Sequence, residues 1–111
     1  MPDGPQLLAN VSADRRDGKK LVHADVRGEV NLQNAPKLRE QLLALDEKHE
    51  PDVLELDLSG VPYMDSSALA VLIEALKKVR GHDGVVRLVG PTQRVTAMMK
   101  ISRVDQLFET V

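Results

Sequence analysis

Apolar and polar positions change period several times along the chain. Leu7, Ala9, Val11 and Ala13 fall on alternate positions, and Leu21 to Val26 alternates again. Period two is the spacing of a strand with one buried face. Between these runs, Arg16-Asp17-Gly18-Lys19 contains an Asp-Gly pair that tolerates the positive φ of a tight turn, so the first unit reads as a β-hairpin. From about Asn34 to Lys48 the period lengthens: Leu38, Leu42 and Leu45 have the i, i+4, i+7 spacing of one helix face. Asn34 is placed to cap this helix, Pro36 sits in a first turn that tolerates proline, and Pro51 marks the end.

Val53 to Leu58 alternates once more, with Leu54, Leu56 and Leu58 on one face and Glu55 and Asp57 on the other. A second helix is expected over Ser66 to Arg80, its apolar stripe formed by Ala68, Leu69, Leu72, Ala75, Leu76 and Val79, with Gly81 as the stop. Val85 to Val89 is a short β-branched strand. Gly90-Pro91-Thr92 opens a third helix carrying Val95, Met98 and Met99, and Leu107 to Val111 reads as a final strand. This order predicts one α/β domain over residues 1–111. It is an N-terminal β-hairpin followed by β-α units, with a mixed, mostly parallel sheet in sequence order and helices mainly on one face. Residues 1–5 are expected to be disordered.

Composition narrows the function classes. A chain of 111 residues with 42% hydrophobic content is large enough to bury a core without disulfides or metals. Its 15 basic and 17 acidic residues are mixed along the sequence, which leaves no basic stripe for a nucleic acid. No apolar run approaches the roughly 18 residues of a membrane helix, so no direct membrane insertion is expected and the location reads as cytoplasmic. Cysteine is absent, which removes thiolate metal sites and thiol nucleophiles. His23, His49 and His82 fall in a strand, at a helix end and in a loop, without metal-ligand spacing. Gly81-His82-Asp83-Gly84 lacks the lysine and the pattern of a phosphate loop. Neither an enzyme, a metal nor a cofactor is expected. Met98 and Met99 read as core or interface filler, and the Glu/Lys runs as a solvated face.

The junction Asp65-Ser66-Ser67 joins the most strand-like run to the clearest helix. Asp and Ser are the residues that accept hydrogen bonds from the free N–H groups of a first helical turn. One cap residue suffices, so three small polar residues leave at least one hydroxyl free at the C-terminal edge of the sheet. That edge is where open α/β sheets meet ligands and partners.

Leu56-Asp57-Leu58-Ser59-Gly60-Val61-Pro62-Tyr63-Met64-Asp65-Ser66-Ser67-Ala68-Leu69 resembles the phosphorylation segment of the STAS domain family, specifically its bacterial anti-sigma factor antagonists. Gly28-Glu29-Val30-Asn31 is similar to the family's Gly-Glu-Leu-Asp after the second strand, and Val89 to Phe108 to its closing helix and strand. The resemblance implies that Ser66 is phosphorylated by a partner serine kinase that is also the anti-sigma factor. The unphosphorylated form would bind that kinase and free a sigma factor, and a PP2C-type phosphatase would restore it. Asp65 and Ser67 are then expected to hold the helix end, and Asn31, Asp65, Ser66, Ser67 and Ala68 to form the partner-binding surface.

Ala68 and Ala70 stand where the family commonly has glycine, and Asn31 where it has aspartate. The alanines favour the helix by up to about 1 kcal/mol each, and their methyls are expected to narrow the approach to Ser66. An alternative implied by the same family is a non-phosphorylated STAS subunit of a lipid-transport ATPase assembly. Such members usually carry threonine in the motif, so the paired serines favour the first reading. A nucleotide-binding STAS module is a third, for which the sequence supplies no phosphate loop.

Overall fold

The computed structural model describes residues 7–111; the stretch 1–5, expected to be disordered, lies outside them. The hairpin is β1 (Leu8–Arg16) and β2 (Lys19–Arg27). It is followed by α1 (Ala35–His49), β3 (Val53–Gly60), α2 (Ser66–Arg80), β4 (Val85–Val89), α3 (Gln93–Ile101) and β5 (Glu109–Thr110). The sheet order is β1-β2-β3-β4-β5, with the first pair antiparallel and the other three parallel. Because the order follows the sequence, the three crossover connections advance the same way, and with the common handedness such connections favour they lay the helices on one face, the face that carries the core.

The predicted stripes form the core. Val22, Ala24 and Val26 of β2 and Leu54, Leu56 and Leu58 of β3 are buried beneath Leu38 and Leu42 of α1 and Leu69, Leu72 and Leu76 of α2. Leu45 and Met98 are partly buried against this cluster, and Met99 is inside it. Asp17 and Gly18 both have positive φ, at 53° and 78°, which gives the hairpin its tight turn.

Four local expectations differ from the structure. The alternation in β1 is interrupted by a bulge between Ala9 and Ser12, where Asn10 has φ 51°, so Val11 is turned outward and only Leu7 and Leu8 reach the core. Asn34 occupies the N-cap position of α1 but makes no cap bond. Its Oδ1 accepts from the Asn31 amide at 2.8 Å and its Nδ2 donates to the Glu29 carbonyl, so it braces the preceding loop instead. Gly81 ends α2 in right-handed geometry, φ −61°, and the left-handed turn falls on Asp83. The segment expected as a strand over Leu107–Val111 begins as a 3-10 turn, Asp105–Leu107, and pairs with β4 through Glu109 and Thr110. The Val111 amide then donates to the Leu88 carbonyl at 2.9 Å.

The face away from the helices is polar at its centre. Ser12, His23, Glu55, Arg87 and Glu109 lie on one rung across all five strands. His23 Nδ1 meets Glu55 Oε1 at 2.8 Å, and Arg87 donates to Glu55 Oε2 at 3.3 Å and to Glu109 Oε1 at 3.2 Å.

Candidate functional site

Three connections converge at the C-terminal ends of the parallel strands. The first, from β2 to α1, is bound to the second, from β3 to α2, by an isolated parallel bridge between Val30 and Met64. The Val30 amide donates to the Tyr63 carbonyl and the Asp65 amide to the Val30 carbonyl, each at 3.1 Å. Val30, Val61 and Met64 are buried, so apolar side chains pin both segments from below. In the third connection, Thr92 accepts from the Val95 amide to cap α3 and donates to the Val61 carbonyl at 3.3 Å. Arg94 lies over the Tyr63 ring, 4.7 Å from its centroid.

Asp65 is the cap of α2. Its backbone is extended, φ −96° and ψ −175°, and its Oδ1 accepts from the amides of Ser67 at 2.9 Å and Ala68 at 3.2 Å. Its Oδ2 accepts from the Leu32 amide at 3.0 Å, across the gap between the two connections. The expectation that Asp65 and Ser67 together hold the helix end is therefore corrected: the Asp65 carboxylate alone caps it, and Ser67 supplies an amide rather than its hydroxyl. A carboxylate has two oxygens with several lone pairs, and one side chain here satisfies three donors.

Ser66 is the first residue of α2 and is exposed. Its hydroxyl has no hydrogen-bond partner among the described residues, and the one carboxylate beside it in sequence is committed to three amides. An alcohol without a base is poorly equipped as a nucleophile of its own. It is well placed to be acted on.

Asn31 is brought to the same edge and is half-buried; its Oδ1 accepts from the Gln33 amide at 3.0 Å and the Asn34 amide at 3.3 Å. Its side chain builds the turn that carries Leu32. Ser67 is half-buried. Ala68 is fully buried, so its methyl is turned into the core and not over Ser66. Ala70 is the exposed alanine, four residues after Ser66, where helix geometry makes side chains neighbours. The narrowing expected of both methyls thus falls to Ala70 alone.

Two features escaped the sequence reading. Leu32 is 73% exposed beside Asp65, an apolar knob at the site's edge; its signal was a lone leucine within the polar run Asn31-Leu32-Gln33-Asn34. The other is on the open sheet face, where the parallel register of β2 and β3 gathers His23, Asp25 and Asp57. Their signal was the polar alternation His23-Ala24-Asp25 and Glu55-Leu56-Asp57, with partners thirty-odd residues apart.

The five-stranded mixed sheet is covered on one face and presents an exposed serine at the start of α2, beside the strand ends. The chain belongs to the STAS domain family, whose family model matches residues 10–111. It is 34% identical over 102 residues to the anti-sigma-B factor antagonist of Listeria monocytogenes, covering 90% of this chain and 88% of that one. Among solved structures it is similar to an anti-sigma factor antagonist from Mycobacterium paratuberculosis, with TM-score 0.75, 22% identity and 96% and 87% of the two chains covered. It is also similar to the anti-sigma factor antagonist SpoIIAA in its unphosphorylated form, with TM-score 0.72, 13% identity and 91% and 87% covered. Among the described residues no helix is long and apolar enough to cross a membrane.

Proposed function

We propose that the protein is an anti-sigma factor antagonist in a partner-switching pathway, a cytoplasmic binding module without catalytic activity of its own. In its unphosphorylated form it binds an anti-sigma factor that is a serine kinase, and so releases a sigma factor. Phosphorylation of Ser66 blocks that binding, and a PP2C-type phosphatase reverses it. The observation that carries this reading is the separation of duties at the head of α2. Asp65 does the capping, which leaves the Ser66 hydroxyl exposed and uncommitted.

Magnitudes support a switch that changes the surface and not the fold. A phosphoserine adds about −1.5 to −2 charge at neutral pH. At a helix N-terminus the dipole and free amides stabilise such a charge by about 0.3–1 kcal/mol. Across an interface, a buried charge left without a partner costs about 2–5 kcal/mol, and Asp65 beside it adds to the local negative charge. The interface term is the larger, so binding is lost while the domain stays folded.

The test is incubation with a cognate serine kinase and ATP, followed by mass spectrometry of the peptide spanning Ser66 and Ser67. The expected label is a single phosphate on Ser66. A label on Ser67 would move the site by one residue, and no label would favour a non-phosphorylated subunit of a transport assembly.

A further inference from the structure

We propose a divalent transition-metal site of the zinc class on the open face of the sheet, with His23 Nε2, Asp25 and Asp57 as its ligands. One ligand atom from each of these residues lies within 4.8 Å of the others. They come from adjacent parallel strands, His23 and Asp25 two residues apart on β2 and Asp57 beside Asp25 in register on β3. Side chains on such strands share a face and a common direction.

The imidazole at the centre, and how it is held, separates this from an ordinary group of surface carboxylates. Its Nδ1 is held by Glu55 at 2.8 Å, and Glu55 is in turn held by Arg87. A carboxylate on the far nitrogen of a histidine is the arrangement that fixes tautomer and ring direction for a metal on the near one. Each carboxylate ligand is also oriented by a second partner. Asn10 Nδ2 donates to Asp25 Oδ2 at 2.7 Å, and the Ser59 amide and hydroxyl donate to Asp57 Oδ1 at 2.8 and 2.6 Å. Asp25 Oδ1 faces His23, and Asp57 Oδ2 is the oxygen that Ser59 leaves clear.

The ion would enter between His23 Nε2 and Asp25 Oδ1, which now share a hydrogen bond of 3.0 Å. The proton on Nε2 leaves to solvent and the metal takes its place, while Nδ1–H donates to Glu55. Metal–ligand bonds of about 2.0–2.2 Å in tetrahedral geometry hold two ligand atoms about 3.3–3.6 Å apart, so the His23–Asp25 pair opens by about half an ångström while Asp57, whose ligand atom lies within 4.8 Å of theirs, closes on the ion. Nitrogen with two oxygens suits zinc or its neighbours better than calcium or magnesium. Three protein ligands leave at least one coordination position open, and the two carboxylates border a recess of about 220 Å³ that Arg27 and Ser59 also line. Arg27 pairs with Asp25 Oδ2 at 3.6 Å and is more than half exposed, so solvent screens its charge.

The test is calorimetric titration of the full chain with Zn²⁺, with Co²⁺ absorption as a coordination readout. One site per chain is expected, weakened at least tenfold by His23→Gln and by Asp57→Asn, and unchanged by His49→Gln. Glu55→Gln, which touches no metal, should weaken it about 10- to 100-fold. Circular dichroism of each metal-free variant reports whether it has folded. Binding that survives His23→Gln, binding that follows His49 instead, or no saturable binding at all would overturn the assignment.

Discussion

The Asp65 carboxylate holds Leu32, 33 residues away in sequence, as firmly as it holds its own helix: 3.0 Å to the Leu32 amide against 2.9 Å to that of Ser67. One side chain therefore sets both the start of α2, where Ser66 is presented, and the position of the exposed apolar knob beside it. The edge of the sheet behaves as one unit because its two connections share an acceptor.

Replacing Asp65 with alanine removes the cap and the tie together. Loss of a cap costs about 0.5–2 kcal/mol, and the orphaned Leu32 amide adds a net hydrogen bond of about 1 kcal/mol. Urea unfolding should lose about 1.5–3 kcal/mol in Asp65→Ala and about 1 kcal/mol in Asp65→Asn, whose single carbonyl oxygen keeps the cap but leaves the Leu32 amide without its acceptor. Ser66→Ala should be close to neutral. Equal losses in Asp65→Ala and Ser66→Ala would contradict the division of labour at this helix end.

Gly84 offers a test of packing at the opposite edge. A Cβ built there would lie 2.6 Å from both the Pro51 carbonyl oxygen and Val79 Cγ1, and Val79 is fully buried. Gly84→Ala is expected to destabilise by about 1–3 kcal/mol through overpacking. Gly18→Ala meets no atom within 4 Å but is held at positive φ, so its smaller loss comes from the backbone alone. A thermal melt in which Gly84→Ala matched wild type would show that β4 is not packed this closely against the start of β3.

The loop after α2 is clasped to α1 by His82 Nε2 and Asp46 Oδ1 at 2.6 Å, and Asp46 is 4% exposed. The hydrogen bond to Asp46 raises the His82 pKa above its ordinary value of 6.5, against a smaller opposing effect of burial. A pKa raised by folding stabilises the folded state fully below the unfolded value. That stabilisation fades as pH climbs through the raised one. The stability difference between wild type and His82→Gln, from denaturation midpoints, should thus be largest below about pH 6 and shrink toward pH 8. A difference that grew with pH would reverse the assignment.

The helices and central strands were legible because their apolar periods are set by burial on one face. The stripe Ala68, Leu69, Leu72, Ala75, Leu76 and Val79 is buried throughout, and α2 has the expected bounds. Less was legible where a backbone departs from its period or a side chain serves a distant partner. The bulge after Ala9 hides behind a regular alternation, and Asn34 has the composition of a cap while bracing Glu29 and Asn31. At the site, the sequence pointed to Asp65, Ser66 and Ser67. It carried no sign that the Asp65 carboxylate also binds Leu32, because that bond depends on the Val30–Met64 bridge; the apolar stripe did place Ala68 inward and Ala70 outside it, which the expectation that both methyls crowd Ser66 did not use.

The most direct test of the central claim is the affinity of a cognate anti-sigma factor kinase for wild type, Ser66→Ala and Ser66→Asp, with thermal melts of each alongside. Ser66→Ala should bind like wild type and take no phosphate. Ser66→Asp should lose binding by tenfold or more, the effect of about 1.4 kcal/mol, while melting within a few degrees of wild type. Binding of Ser66→Asp as tight as wild type would contradict the account.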